Sequence, residues 1–352
     1  MPESMVVIEP QSALPLAIQI LEKGGATQSV ASTTGTGLWQ TSMRGVDSHG
    51  LRLLPHYLAG LRGGRINGEP HFRLKKVRLS AGVLDADHAF GHAAGTEAMH
   101  HAIDFARATG VGAVSVKNSS HCGALAYFAQ QACEQGMIGL AFTHASPKVQ
   151  SFNARSVFFG TNPFCFCAPM ADEGPYCFDS APSIITFNKV RQHRDLHLPL
   201  PAGCAADAQG NPTTDALAAM QLLPIGGYKG FGLTMMVDIL CSLLSGMPGG
   251  DEVSEMFAGD LGAHRYLGHF FLAIDISVFT ELDVFKRRLQ DMANKIRKTL
   301  SLNDAEPVMV AGDPEKKKWA ARQAEGIPLP QNVYEDLVRI AQDYGLEPFR
   351  RI

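Results

Sequence analysis

Between Phe72 and Ile276, short β-branched runs alternate with segments of helical spacing. The runs are VGAVSV at 111–116, MIGLAF at 137–142, SVFF at 156–159 and SIITF at 183–187, and the helical segments fall at about 93–109, 121–135 and 229–245. A strand buries alternate residues and a helix buries a stripe, so this interleaving calls for a sheet whose faces are covered by helices. The expected core is therefore mixed α/β. Around it the pattern is helical. Residues 11–23 come first, then a Thr/Gly-rich stretch of weak helical propensity, then a helix opening near Asp47 or Ser48. From 281 to the C-terminus the chain is helical again, with PVMVAGDP as a break and GIPLP as a stop before the last helix. We divide the chain into a helical unit of residues 1–70 with 281–352 and a sheet unit of residues 71–280, and 352 residues suffice for two packed cores.

A net charge of −3 gives no broad attraction for nucleic acid or an anionic membrane, and the lysines at 316–318 read as a solvated helix face. The opening MPESMVVIEP lacks a basic region leading into an apolar core, so it does not read as a secretory signal, and no apolar run reaches membrane-span length. Seven cysteines, scattered and without a CxxC pair, argue against a disulfide framework and against a zinc site, and they fit a reducing cytoplasm. Cys165 and Cys167 share a face if their segment is a strand, where they are expected to pack rather than react. No metal is expected.

The chemistry is concentrated in a few stretches. In RGVDSHGLRLLPHY, 44–57, Leu54, Leu58 and Leu61 recur at i, i+4 and i+7, which predicts a helix capped by Asp47 or Ser48 with His49 in its first turn. The positive end of a helix dipole favours neutral imidazole by roughly 0.3–1 kcal/mol, and a neutral imidazole can accept a proton. A polar residue held by its neighbours at a helix start satisfies the same pattern. No G-x-G-x-x-G follows a strand: GTGLWQ at 35–40 and GVGAVS at 110–115 each lack the third glycine, so neither a Rossmann fingerprint nor a P-loop is present. Three other stretches carry glycine, hydroxyl and charge together: NSSHCGAL at 118–125, GTNPFCF at 160–166 and IGGYKGFG at 225–232. Each alone is compatible with a capped helix or a glycine-rich connection; together they suggest an anion-binding site made of helix starts.

These blocks, with FDSAPS at 178–183, LGHFFLAID at 267–275 and the PVMVAGDPE…GIPLP ending, resemble the type-2 malate/L-lactate dehydrogenase family of NAD(P)-dependent oxidoreductases, over nearly the whole chain and in order. The resemblance implies a non-Rossmann three-layer α/β/α core. Its sheet would be mixed, largely antiparallel and seven-stranded, in a homodimer with NAD or NADP as cofactor. It implies His49 as acid/base assisted by Ser48, and cofactor contacts from His121, Cys122, Gly123, Ala124 and Leu125, from Asp179, Ser180 and Ala181, from Lys229 and Gly230, and from Gly312. Thr161 matches a substrate contact. The chain departs from the family pattern in carrying Leu53 where many relatives hold a substrate arginine, with Arg52 one step earlier, and in placing Tyr228 and Ser180-Ala181-Pro182 in two cofactor blocks. One helix step rotates a side chain by about 100°.

The expected reaction passes hydride between nicotinamide and a small anionic 2-hydroxy or 2-oxo acid while His49 exchanges the hydroxyl proton, with Arg52 as first candidate for the substrate carboxylate. Lys189, read at the end of a strand, would disfavour a protonated cyclic imine. Reduction of a cyclic imine carboxylate and non-catalytic binding of a small anion are the alternatives.

Overall fold

Five of the six pairings in the central sheet are antiparallel. The computed structural model describes residues 5–352. Its strands are β1 (Met5–Ile8), β2 (Arg73–Arg78), β3 (Ala81–Asp85), β4 (Val111–Ser119), β5 (Met137–Thr143), β6 (Val149–Gln150), β7 (Val157–Phe159), β8 (Phe164–Ala168), β9 (Tyr176–Ser180), β10 (Ala205–Ala206), β11 (Gln221–Leu222), β12 (Leu267–Asp275) and β13 (Ile327–Pro330). Its helices are α1 (Pro10–Lys23), α2 (Gln28–Met43), α3 (Leu54–Gly63), α4 (Gly91–Thr109), α5 (Ala126–Glu134), α6 (Phe187–Asp195), α7 (Tyr228–Asp238), α8 (Leu282–Arg297), α9 (Asp313–Glu325) and α10 (Gln331–Asp343). The seven-stranded sheet runs β2-β3-β4-β12-β5-β8-β9, and only β3 and β4 are parallel.

The strand period of two assigns side chains to opposite layers. Phe271 and Ala273 of β12, with Val114, Val116 and Ala141, face α4 and α5. Phe270, Leu140, Phe142 and Phe164 face the other way, onto Val237 of α7 and Cys241 in the π turn that follows. Ala94, Ala98, Ala102 and Ala106 repeat every fourth residue along α4 with no exposure, so that helix settles close on the sheet. The result is the expected three-layer α/β/α core without a Rossmann arrangement.

A second core joins the two ends of the chain. Ile8, Ile20, Leu38, Leu54 and Leu58 pack with Ile327 and Leu337, and β1 pairs antiparallel with β13 from Met5↔Pro330 to Ile8↔Ile327. The proposed division into a helical and a sheet unit rests on this shared core. Residues 1–4 of the MPESMVVIEP segment, part of the basis for reading no secretory signal, lie outside the described residues; its remainder forms β1 and enters α1.

Several local expectations are corrected. The Thr/Gly-rich stretch is the helix α2, N-capped by Thr27, whose hydroxyl accepts from Val30 N. Propensity loses to packing here, because Gly37 lies where a Cβ would come within 2.4 Å of the His92 ring. SIITF is not a strand. Ser183 makes one isolated bridge to Pro224, and Thr186 then caps α6 by accepting from Lys189 N. SVFF does form β7, but in a separate four-stranded sheet, β10-β11-β6-β7, with its own small core around Val149, Val190, Leu200 and Leu222.

Candidate active site

The turn at His49, the loop between β4 and α5, the end of β9 and the loop before α9 enclose a cleft of about 680 Å³, within the range of small-molecule sites. His49 is not in an α-helix. Asp47–His49 and Leu51–Leu53 are single 3-10 turns, and α3 begins only at Leu54. Neither Asp47 nor Ser48 caps a helix. Asp47 instead takes a forked bond from Arg322 of α9, at 2.6 and 2.8 Å, while Arg322 also donates to Ser42 O. This pair ties α9 to the turn and fixes the position of the next two residues.

Ser48 Oγ is 2.7 Å from His49 Nδ1. His49 touches solvent through the cleft, yet its ring is enclosed by protein, and burial, with the charge of Arg52 second, brings its pKa down to about 4. Neutral imidazole is thus favoured, by desolvation rather than by a helix dipole. His121 lies beside it, the ring centroids 5.7 Å apart and the planes inclined by 26°. Its Nδ1 is 2.6 Å from the hydroxyl of buried Tyr57, and burial, then the charge of His49, holds its pKa well below the usual value. Each imidazole therefore has one nitrogen engaged by a hydroxyl and Nε2 without a protein partner among the described residues. Behind them His92 is fully buried, wedged between Gly37 and Gly123: a Cβ at Gly123, where φ is +70°, would come within 2.6 Å of its Nε2. Only glycine permits that approach.

The adjoining wall has the features of an anion cradle. Gly123, Ala124 and Leu125 precede α5, and their N–H groups find no acceptor among the described residues. Ala126 N donates to Asp179 Oδ2 at 2.8 Å. Asp179 is exposed to the cleft, yet the protein packed around its carboxyl pushes it up to about 7 against that hydrogen bond, which favours the ionised form. Ser180, Ala181 and Gly312 complete the wall. Unpaired N–H groups at a helix start and a carboxyl open to the same cleft suit the phosphates and hydroxyls of a dinucleotide.

Of the residues singled out in the sequence, the cleft brings together Ser48, His49, His121, Gly123, Ala124, Leu125, Thr161, Asp179, Ser180, Ala181 and Gly312. The rest lie elsewhere. Arg52 is exposed and outside the lining, since its 3-10 turn buries Leu51 and Leu53 and leaves the residue between them outward. Lys189 is exposed on α6 rather than on a strand, and Asn188 and Arg191 of that helix face the cleft instead. Cys122 is fully buried in the sheet core. Lys229 is exposed at the start of α7 and Gly230 is buried against Ile225 O, both outside the lining.

Sequence reasoning missed Arg265. It lines the cleft at 6% exposure and has no carboxylate partner among the described residues; Nε donates to Ser254 Oγ at 3.3 Å and Nη2 to Ser254 O, which leaves Nη1 without a protein acceptor. It is close enough to His121 to help depress that pKa, and burial lowers its own to about 10, so it is cationic at neutral pH. No sequence signal marked it, for it sits in an irregular loop ahead of β12. Tyr57 belonged to the opening stretch, eight residues after His49, and its hydroxyl role shows only once the β4–α5 loop is folded against α3.

The model of the malate/L-lactate dehydrogenase family matches residues 8–338. The chain is 32% identical to a malate dehydrogenase of Pyrococcus abyssi, over 98% of this chain and 97% of that one. It is 33% identical to the NAD(+)-dependent ureidoglycolate dehydrogenase of Escherichia coli K12, over 90% of each. The solved sulfolactate dehydrogenase of Methanocaldococcus jannaschii superposes with a TM-score of 0.90 at 28% identity, covering 97% of this chain and 98% of that one. With a cleft walled by paired histidines and a glycine-rich anion cradle, and with these likenesses along almost its full length, the chain belongs to the malate/L-lactate dehydrogenase family.

Proposed function

We propose that the chain is an NAD-dependent oxidoreductase that exchanges hydride with the carbinol carbon of a small 2-hydroxy acid, His49 Nε2 taking the hydroxyl proton. The observation that carries this reading is the pair of neutral imidazoles, each held at Nδ1 by a hydroxyl and open to the cleft at Nε2. A base must be unprotonated to accept, and burial keeps His49 so at neutral pH. Ser48 fixes the orientation of the His49 ring, and Tyr57 that of His121. When bound, nicotinamide supplies the hydride chemistry. Gly123, Ala124, Leu125 and Gly312 would hold its phosphates, and Asp179 a hydroxyl.

Arg265 is our candidate for the substrate carboxylate in place of Arg52. A buried guanidinium with one face unpaired gains most from an anion, whereas an exposed one keeps its water. Neither imidazole has a carboxylate close enough to raise its pKa, and Glu255 on the cleft wall is already paired with Lys148 at 2.8 Å. A protonated cyclic imine would therefore lack a counter-charge at the reacting centre, which favours an oxo or hydroxy acid.

A second copy of the chain is the partner we assign to the exposed apolar row of Tyr228, Met235, Ile239 and Leu243, exposed by 69%, 47%, 43% and 73% and spaced along one side of α7 and its π turn. A contact from Lys229 to cofactor would be made across that interface. Ile239→Glu with Leu243→Glu should convert a dimer to a monomer by light scattering. Seven thiols without a disulfide fit a reducing compartment, and no helix among the described residues is long and apolar enough to cross a membrane.

The deciding experiment is a panel of 2-hydroxy acids, 2-oxo acids and cyclic imine carboxylates, followed at the NAD(P)H absorbance with both cofactors. The expected result is highest kcat/KM on a hydroxy or oxo acid with NAD. Faster reduction of a cyclic imine than of any oxo acid would replace this assignment, and affinity without turnover would remove the enzymatic one.

A further inference from the structure

Three thiols that the sequence separates meet under the cofactor wall. Cys165 and Cys167 alternate along β8 onto one face, and β9 sets Cys177 directly opposite Cys167 in register. The Sγ atoms of Cys165 lie 3.6 Å from Cys167 and 3.9 Å from Cys177, and all three fall within 4.8 Å of one another. A metal bound in a plane by three sulfurs at about 2.3 Å requires sulfur–sulfur separations of about 4.0 Å. The empty triangle is already near that size.

We propose that Cys165, Cys167 and Cys177 form a three-thiolate site for a soft monovalent ion of the Cu(I) class. Soft ions select thiolates over the oxygen and nitrogen donors elsewhere in the chain. A zinc ion asks for four ligands in a tetrahedron; Cys133 of α5 neighbours Cys167, but among the described residues only Cys165, Cys167 and Cys177 lie within 4.8 Å of one another. Binding is a substitution without redox change: three S–H bonds break, three sulfur–metal bonds form and three protons leave to solvent. Arg44 Nη2 lies 3.4 Å from Cys177 Sγ and offsets part of the resulting negative charge. Burial raises Cys165 and Cys167, and against the opposing hydrogen bond of Cys165 the thiol of Cys167, ahead of burial, raises Cys177, so the free site holds the protons that binding releases. Cys177 lines the cleft, which gives the ion a path in.

Occupancy reaches the cradle through short links. Cys177 N donates to Ala311 O at 3.4 Å, beside Gly312, and Asp179 follows two residues along β9. Loading leaves behind the wall a negative charge that Arg44 offsets only in part, which opposes binding of an anionic cofactor. Loading should therefore raise the KM for NAD. This consequence rests on the function proposed above; the site does not.

The test is anaerobic titration of the reduced, metal-free protein with Cu(I) presented by a competing chelator, read by the thiolate-to-copper charge-transfer absorption. The expected result is saturation at one ion per chain. Cys167→Ser and Cys165→Ala should each weaken binding by more than the ~10–100-fold that loss of an outer-shell partner costs, while Cys204→Ser, in the small separate core, leaves it unchanged. A wild-type protein without a saturable band, or a Cys165 or Cys167 variant that keeps its melting curve and wild-type affinity, overturns the site. A full band with an unmoved KM for NAD overturns only its coupling to the cradle.

Discussion

Replacing Arg265 with methionine separates anchoring of the substrate from every other role in the cleft. Methionine keeps most of the stem volume and removes the cation. In the free protein the loss is modest, because the guanidinium gives up only its bonds to Ser254, and no carboxylate is left unpaired. In the complex the loss is large: truncating one partner of a buried charged pair costs about 2–5 kcal/mol, and at about 1.36 kcal/mol per tenfold this is roughly 30-fold to several-thousand-fold in kcat/KM. Most of it should appear in the KM for the acid, since the contact is present in ground and transition states alike, with the KM for NAD little changed. A second signature follows from charge. Arg265 is one of the groups that lower His121, so its removal should let the His121 pKa rise toward the usual value. The assay is steady-state kinetics with each substrate varied in turn, together with NMR titration of the histidine resonances, and Arg265→Lys should recover part of the loss. A variant within threefold of wild type in kcat/KM for the acid would refute the anchoring argument.

His49→Ala should lower kcat by about 10²–10⁴ while NADH binding, read by nucleotide fluorescence, stays near wild type; a variant with most of its kcat removes His49 from proton transfer. The acid limb of kcat/KM for alcohol oxidation should lie near the His49 pKa of about 4, since that ratio reports the free enzyme, and a midpoint near 6.5 would contradict the buried, neutral base. His92 and His269 are fully buried with pKa values brought down to about 3, mainly by burial. The unfolded chain therefore takes up protons below pH 6.5 that the folded one refuses, and stability should fall on acidification by about 1.4 kcal/mol per pH unit for each until the folded pKa is reached. Urea midpoints at pH 7 and pH 5 measure this, and equal midpoints would contradict it. Gly37→Ala sets the ~1 kcal/mol helix-propensity gain against overpacking of the His92 ring at about 1–3 kcal/mol; net destabilisation is expected, and a more stable variant would show that His92 can yield.

The sequence by itself determined the core and the stretches that build the cleft. Period-two runs at 111–116 and 137–142 and the helical stripe at 93–109 became β4, β5 and α4, because burial of such stripes leaves little choice of partner layer. His49, His121, Thr161, Asp179 and Gly312, all named from the motif blocks, line one cleft. What the sequence left open depends on contacts distant along the chain. Arg322 claimed Asp47 from 275 positions away and turned an expected helix cap into an ion pair. Gly37 and Gly123 were permissive residues until His92 came between them. Arg52 and Arg265 read alike as isolated arginines, and only the folded loop before β12 turned one inward while a single 3-10 turn pointed the other to solvent. The same holds for the cysteines: spacing alone argued against a metal site, because ligand spacing within one segment is all a sequence shows, whereas the register of β8 on β9 places Cys177 across from Cys167. Local propensity and periodicity act over a few residues and can be read along the chain; the direction and charge environment of a side chain are set by whatever packs beside it, and that is fixed only when the chain has folded.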